Sequence, residues 1–351
     1  MYIPIMKNRT VEVSVLEQLS ELHIFDEKII PLVEIIQEKT RSNNRSTSLQ
    51  TIQDILSKNP SMRIMVDFYK TTKLRNTTDA IREYVTMSVR YPEFSIEQLT
   101  ALAQFEARVI PVISYLPENI SLERISFEEE CFRNLFPCIA FRIRIQEFDA
   151  VFSHIETLIK PEDFIILDID SASHMNPVFR KIYKRISDSK QVHGFISIIV
   201  SAHRPDSLAN KDMEDGEPIA QIDNSLMELH STAYMHHFSG FGDYACIAAS
   251  LPSTGGTISP VGIYYSLSNN FFIAYRGRAP LLSEFPEYIA PRIVNSDYWK
   301  EFSGVHHNDC PGCREIMDIY DGRVSGKNQA QWKKITMLHY IYTMYEHEIK
   351  A

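Results

Sequence analysis

Residues 164–170 read Phe-Ile-Ile-Leu-Asp-Ile-Asp, and this stretch decides the fold that we predict for the chain. The unbroken apolar run is typical of a strand that is buried on both faces, as in a parallel sheet. The run leads directly into Asp168, and Asp170 follows two residues later. Carboxylates at the end of such a strand are typical of a functional site at the mouth of a barrel.

The same design recurs along most of the chain. We predict strands that end at Met6, Ile35, Asp67, Ser114, Ile143, Asp168, Val200 and Ala249. Nearly all the intervals between them hold a helical pattern, which is what βα units require. Units of this kind predict an α/β fold of the (β/α)8 TIM-barrel type. An open doubly wound sheet is the alternative, but no Gly-x-Gly-x-x-Gly or Gly-x-x-x-x-Gly-Lys-Ser/Thr motif supports it.

We predict one elaborated barrel domain over the 351 residues. Residues 1–250 and an amphipathic helix at 328–349 are expected to form its core. Residues 251–327 are expected to be an insertion that contains a β-hairpin and a cluster of cysteine and histidine residues. Because a closed barrel needs eight strands, residues 2–6 should lie parallel to residues 28–35. The eighth strand is expected within residues 244–249.

Composition excludes several classes of protein. The chain has 36 lysine and arginine residues against 45 aspartate and glutamate residues, a net charge of −9. This sign argues against non-specific binding to nucleic acid or to an anionic membrane surface. The apolar runs are too short to span a membrane. Five cysteines form an odd, sparse set that is typical of a reducing compartment, so we expect a cytoplasmic protein.

Acidic residues stand at or near the ends of three predicted strands. They are Glu34, Asp67, Asp168 and Asp170, and His203 follows the seventh strand as a further catalytic candidate. Carboxylates around one barrel rim could bind Mg²⁺ or Mn²⁺, or divide the roles of acid and base. Because side chains alternate along a strand, Asp168 and Asp170 should both face the barrel axis. The alternative is that the acids cap helices or pair with basic neighbours.

Basic residues also follow the predicted strands. Lys7, Arg142 and Arg144 lie at strand ends, and Arg276 follows the predicted hairpin. Arginine binds phosphate or carboxylate groups through two parallel hydrogen bonds, so these residues are candidates for substrate binding. The alternative is plain ion pairing with the acids of the rim.

A cysteine and histidine cluster lies near the C-terminus. His306, His307, Cys310 and Cys313 have the spacing of zinc ligands, with one Cys-x-x-Cys pair and two histidines. Either His306 or His307 would need a further ligand that the sequence does not identify. A redox pair is a weaker alternative, because no βαβ unit surrounds the cluster. The other alternative is a helix start capped by Asp309, with two reduced thiols.

Several short blocks resemble one known family. Residues 2–7 read Tyr-Ile-Pro-Ile-Met-Lys, and residues 29–34 read Ile-Ile-Pro-Leu-Val-Glu. Later blocks are Phe-Gly-Asp-Tyr at 241–244, Ser-Gly-Val-His-His at 303–307 and Cys-Pro-Gly-Cys at 310–313. Together they resemble the beta protein family of bacteria and phages. The resemblance implies a setting among mobile elements and anti-phage genes, with a second defence-system protein as partner, but no settled activity.

Two function classes follow from these patterns, and the resemblance implies anti-phage defence as the setting of both. One is a barrel-mouth enzyme that acts on a phosphorylated or nucleotide-like small molecule, as a metal-dependent hydrolase or phosphodiesterase does, within anti-phage defence. The other is a non-catalytic sensor or binding subunit of a defence complex. Crowded carboxylates repel one another. We therefore expect Asp168→Asn to abolish activity while the fold stays intact and thermal stability rises.

Overall fold

The computed structural model of the protein describes residues 1–38, 48–202, 204, 208–219, 236–252 and 258–349. Eight parallel strands close into a barrel in chain order, and the last pairs with the first. They are β1 Tyr2–Lys7, β2 Leu32–Ile35, β3 Ile64–Phe68, β4 Val109–Ile113, β5 Ala140–Arg144, β6 Phe164–Asp168, β7 Ile196–Ser201 and β9 Gly240–Asp243. The predicted (β/α)8 barrel is confirmed, and the open sheet is wrong.

Helices lie between most of these strands. They are α1 Thr10–Glu21, α2 Ser48–Lys58, α3 Asp79–Arg90, α4 Pro92–Thr100, α5 Leu122–Arg133, α6 Phe148–Ile155 and α7 Arg180–His193. Single 3₁₀ turns add Ala103–Phe105, Ile145–Glu147, Pro177–Phe179 and Asn210–Asp212. Because helices cover the outside of the barrel, both faces of a strand are buried. This explains the apolar run of β6, which is buried throughout.

The first strand lies where the sequence predicts it. β1 runs parallel to β2, with Ile5 opposite Leu32 and Lys7 opposite Glu34. This register brings Lys7 and Glu34 to the same height at the mouth of the barrel. The prediction that the N-terminal segment closes the barrel is therefore confirmed.

The eighth strand was predicted wrongly, at 244–249 instead of Gly240–Asp243. Its Gly-Phe-Gly sequence is typical of a turn, so the sequence gives little sign that this segment is a strand. A Cβ atom on Gly242 would lie 2.5 Å from the carbonyl oxygen of Ile3, so the close pairing of β9 with β1 requires glycine. Residues 244–249 instead follow the strand, and Ala245 has a positive φ of 46°.

The insertion forms a second, smaller sheet beside the barrel. The predicted hairpin is confirmed as β10 Val261–Ser266 and β11 Phe271–Arg276, which pair antiparallel. The short strand β8 Glu217–Pro218, from the segment after β7, pairs with β11. Further helices complete this part: the π-helix Phe285–Ile289, then α8 Ala290–Val294, α9 Asp297–Lys300, α10 Gly304–Asp309, α11 Pro311–Tyr320, α12 Gln329–Met344 and the π-helix Tyr345–Ile349. They enclose a hydrophobic core of their own.

Helix α12 joins the two parts of the molecule. It packs against α1 of the barrel on one side and against β10 and α11 on the other. Residues 335–341 are all buried, so the predicted amphipathic character is wrong. The consecutive residues His339 and Tyr340 face different partners. The Tyr340 hydroxyl donates to Asp243 at the end of β9 (2.9 Å), whereas His339 contacts the thiols of Cys310 and Cys313.

Two predictions fall outside the described residues. They concern His203 and most of a helix at 226–237. In the part of the chain that the structure describes, no helix is both long and apolar enough to cross a membrane.

Candidate functional site

One arginine organises the mouth of the barrel. Arg142 lies in β5, and its Nη1 donates to Glu34 Oε1 at 2.7 Å and to Asp67 Oδ2 at 3.1 Å. Its Nε and Nη2 both donate to Asp168 Oδ2, at 3.1 and 2.7 Å. All four side chains are buried. The three predicted acids therefore meet at a common cation rather than at each other.

Further groups hold the same acids from the outside. Lys7 Nζ lies 3.1 Å from Glu34 Oε2, and Ser114 Oγ donates to Asp67 Oδ1 at 2.6 Å. The backbone N–H of Asp170 donates to Asp168 Oδ1 at 3.0 Å. Asp67 and Asp168 thus accept hydrogen bonds on both oxygens, whereas Glu34 accepts one from Arg142 and is held at its other oxygen by the ion pair with Lys7.

Tyr244 is a mouth residue that sequence reasoning missed. Its hydroxyl oxygen accepts a hydrogen bond from Arg142 Nη2, and its ring centroid lies 5.1 Å from Lys7 Nζ. Lys7 Nζ also donates to the carbonyl oxygen of Ala249 at 2.8 Å. The segment after β9 therefore closes over the basic residues of the mouth. The sequence pattern places Tyr244 at the start of the eighth strand, whereas it directly follows the end of that strand, at the mouth.

Burial governs the electrostatics of this network. It raises the pKa of Asp67, although Arg142 opposes the shift. Burial tends to lower the pKa of Arg142, but the ring of anionic neighbours raises it well above its usual value. Burial also raises the pKa of Tyr244 well above its usual value, so this residue is a neutral phenol. Arg142 is therefore a permanent cation among the acids.

A cleft of about 320 Å³ opens above this network. Asp168 and Tyr244 of this network line it, and we call them its floor; the lining also includes Arg144, Lys73 and Asp170. Arg144 is exposed at the end of β5, and its backbone N–H donates to the Tyr115 hydroxyl at 3.0 Å. No carboxylate of the described residues forms an ion pair with its guanidinium. This cationic group therefore faces the cleft.

Acidic groups share the cleft wall. Glu118 and Glu147 line it, and burial raises the pKa of Glu147 while Arg144 opposes the shift. Asp170 does not continue the alternation expected from Asp168. β6 ends at Asp168, and Asp170 is exposed with a φ of 54°. It reaches the cleft from beyond the strand, not from the barrel axis.

Among the described residues, the mouth acids are not grouped as the donors of a metal site usually are. Within the described ranges, only groups of residues around His306 bring three histidine, cysteine or carboxylate donors within 4.8 Å of one another. The guanidinium of Arg142 takes the central position that Mg²⁺ or Mn²⁺ would need. The contacts at the mouth therefore do not favour the predicted divalent cation.

The family is identified by a comparison over nearly the whole chain. A family model described as Beta protein matches residues 2–346. The chain belongs to the Beta protein family. A search of curated proteins found no significant match. The resemblance of the short sequence blocks is thereby confirmed.

Two predicted site residues of this Beta protein family member lie elsewhere. Arg276 ends β11 in the second sheet and is not among the residues that line the cleft. Its backbone N–H donates to Asp215 Oδ1 at 3.0 Å, and its Nη1 donates to the Met213 carbonyl oxygen at 3.3 Å. His307 stacks on Trp299 with ring centroids 4.1 Å apart.

The cysteine and histidine cluster of this family member has a different membership from the predicted one. His306, Cys310 and Cys313 come together, and the fourth member is His339 from α12 rather than His307. All four are buried. The alternative of a helix start named the wrong cap, because Cys310 and not Asp309 is the N-cap of α11.

Proposed function

We propose that the barrel mouth binds a phosphorylated or nucleotide-like small molecule and that the protein acts on it as an enzyme. The observation that carries the proposal is Arg144, whose exposed guanidinium faces the cleft without a carboxylate partner among the described residues. Guanidinium groups bind phosphate through paired hydrogen bonds. Lys73 lines the same cleft and supplies a second positive charge.

The buried network supports this role by pre-organising the floor. Arg142 fixes Asp168 through two hydrogen bonds, and Asp168 in turn accepts from the backbone of Asp170. The segment that carries Asp170 is therefore anchored directly beside the cleft. We propose Asp170 as the acid or base in a hydrolase or phosphodiesterase-like reaction, because its side chain is exposed and lines the cleft where a ligand would bind.

The biological setting is also a proposal. The setting that we propose is anti-phage defence beside a second defence-system protein, as the sequence resemblance implies. All five cysteines are free, which supports a reducing, cytoplasmic location. The net charge of −9 supports a small ligand over non-specific nucleic-acid binding.

A non-catalytic sensor is the second candidate. The observation that favours it is the pairing of Glu34, Asp67 and Asp168 with Arg142. A carboxylate that shares a buried arginine is a weaker base. On this account the cleft binds the same class of ligand but does not convert it.

Ligand binding and turnover separate these candidates. The purified protein would be mixed with nucleoside mono-, di- and triphosphates, cyclic dinucleotides and sugar phosphates, and both melting temperature and product formation would be followed. We expect at least one phosphorylated compound to raise the melting temperature, since a ligand that binds only the folded state stabilises it. Turnover that Asp170→Asn abolishes, with binding retained, supports the enzyme; binding without turnover supports the sensor.

Arg144→Ala tests the anion-binding step. This exposed residue makes no ion pair within the described part of the chain, so its loss should change the free energy of unfolding by less than about 0.5 kcal/mol. Ligand binding should nevertheless fall at least about tenfold, as expected when a charge-assisted contact is lost. Arg276→Ala is the matched control and should bind normally. Equal affinity of the Arg144→Ala and unmodified proteins would reject this site.

A further inference from the structure

We propose that His306, Cys310, Cys313 and His339 bind one structural zinc ion. The donor atoms of these four residues all lie within 4.8 Å of one another. Two thiols and two imidazoles form the ligand set that tetrahedral zinc prefers in structural sites. The proposal is independent of the function of the barrel mouth, which involves none of these residues.

The distances match a tetrahedral ion. Zinc bonds of about 2.0 to 2.3 Å give a tetrahedron whose edges are about 3.3 to 3.8 Å long. His339 Nδ1 lies 3.6 Å from Cys310 Sγ and 3.4 Å from Cys313 Sγ. Both nitrogen–sulfur distances are thus those of tetrahedral edges.

His306 presents an unpartnered nitrogen to the cluster. This side chain is 2% exposed, and its Nε2 atom has no hydrogen-bond partner although it is buried. Its other ring nitrogen, Nδ1, lies 2.5 Å from Glu346 Oε2 and donates to this carboxylate. The carboxylate therefore fixes the tautomer in which Nε2 carries a lone pair. A carboxylate that orients a histidine in this way is a recurrent feature of zinc sites.

His339 is oriented by the same principle from the opposite side. Its Nε2 lies 3.0 Å from the carbonyl oxygen of Tyr265, to which it donates a hydrogen bond. The lone pair of Nδ1 therefore points to the two thiols. The ring also stacks on Tyr264, with centroids 4.2 Å apart and planes 10° apart. Both histidines are thus held with a lone pair directed into the cluster.

The local fold of the Cys-x-x-Cys segment places its two thiols together. Cys310 is the N-cap of α11, and its sulfur accepts from the backbone N–H of Cys313 at 3.5 Å. Gly312 allows α11 to approach α12 closely, because a Cβ atom there would lie 2.6 Å from the backbone nitrogen of His339. The helix contact therefore carries His339 to the thiols.

Burial distinguishes a structural ion from a catalytic or redox centre. Cys310, Cys313 and His339 are fully buried, and four protein ligands leave no open coordination position. Thiol exchange also needs access to a sulfur atom, which this core does not give. The ion would join α10, α11 and α12, and so hold the insertion to the helix that packs on the barrel.

Metal content of the native protein tests the proposal. Elemental analysis of protein expressed with zinc present should give about one zinc per chain. Cys313→Ser and His339→Gln should lose most of this zinc. Cys246→Ser and His307→Gln are the matched controls, since Cys246 is a buried free thiol outside the cluster and His307 is the adjacent histidine. They should keep the full zinc content.

Two further measurements apply if the cluster variants fail to fold. Replacement of zinc by Co²⁺ in the unmodified protein should give the visible spectrum of a tetrahedral cobalt–thiolate site. A mercurial reagent that modifies the thiols should release zinc in step with the modification. Folded protein that contains no zinc, together with thiols that react without metal release, would overturn the proposal. So would full zinc content in a folded His339→Gln protein.

Discussion

The barrel mouth and the Cys/His cluster both gather ionisable side chains in buried positions, but they satisfy them differently. At the mouth, Glu34, Asp67 and Asp168 all accept hydrogen bonds from Arg142. In the cluster, His306 Nε2 is buried without a partner. Buried polar groups are ordinarily paired, so an unpaired one needs an explanation.

This difference separates two kinds of constellation that look alike in a sequence. A set of acids that surrounds an arginine already has its charge balanced, and it serves as a rigid floor for a neighbouring cleft. A set of imidazole nitrogens and thiols that surrounds no cation lacks a positive charge for its lone pairs, and a bound metal ion supplies that charge. Residue types alone allowed a metal at both places. The contacts support it at only one.

The largest effect is expected from removal of the central cation. Arg142→Met would leave three buried carboxylates around an apolar side chain. Loss of one partner from a buried ion pair costs about 3–5 kcal/mol, so we expect a fall in the free energy of unfolding of this size. Urea denaturation measures it. Arg82→Met, which breaks an exposed pair with Asp79, is the control and should cost less than about 1 kcal/mol.

The same network reverses the earlier expectation for Asp168→Asn. Arg142 already relieves the repulsion between the acids, so removal of one charge should not stabilise the protein. The substitution weakens two hydrogen bonds from Arg142, and we expect a loss of about 1–3 kcal/mol. A stabilised Asp168→Asn protein, or an Arg142→Met protein as stable as its parent, would show that the mouth does not balance its own charge.

A pH effect of about 4 kcal/mol at most is expected at Asp243, which lies between the two regions. Burial raises the pKa of this carboxyl group from 3.8 to about 7, against the hydrogen bonds that it accepts from Ala245, Tyr340 and Tyr2. Between these values the folded state keeps a proton that the unfolded state has lost. Stability from this group is therefore present at low pH and falls as pH rises towards 7.

Asp243→Asn should remove this contribution. The measurement is the free energy of unfolding of the parent and of the Asp243→Asn protein at several pH values in this window. The difference between the two proteins should shift in favour of Asn as pH rises. A constant difference would show that Asp243 ionises normally, and that the contact between α12 and the barrel does not bury it.

A smaller effect is expected where α11 meets α12. Gly312→Ala would place a Cβ atom 2.7 Å from the carbonyl oxygen of Ile335, and the helices would have to move apart. Overpacking of this kind costs about 1–3 kcal/mol, and it should also lower the affinity for zinc because His339 moves with α12. Gly304→Ala, with nothing within 4 Å, is the control. Equal zinc affinity in both variants would separate the helix contact from the metal site.

The barrel was predictable because its strands carry strong local signals. A strand covered by helices must be apolar on both faces, as β6 is, and short runs of this kind repeat along the chain. β9 lacks this signal, because its two glycines are required by the close approach of the Met1 and Ile3 backbone and not by packing in an apolar core. The acids could be placed at the mouth because strand ends mark the rim of a barrel. That all three contact Arg142 depends on how far its side chain extends across the barrel, which the sequence does not show.

The fourth cluster residue lay beyond local reasoning. His339 is 26 residues from Cys313 and stands within a buried stretch of α12, where no motif marks it. Spacing alone left His306 and His307 as equal candidates. Residues adjacent in a helix point in different directions, so only one of the two could face the thiols. The fold turns His306 towards the thiols.

The contrast between the two regions is tested most directly by anomalous X-ray scattering from crystals of the protein at the zinc absorption edge. We predict one strong anomalous peak, about 2.3 Å from Cys310 Sγ and Cys313 Sγ and about 2.0 Å from His306 Nε2 and His339 Nδ1, and no anomalous peak among Glu34, Asp67 and Asp168. A cluster without a peak, or a metal ion among the mouth acids in place of the Arg142 guanidinium, would contradict the account.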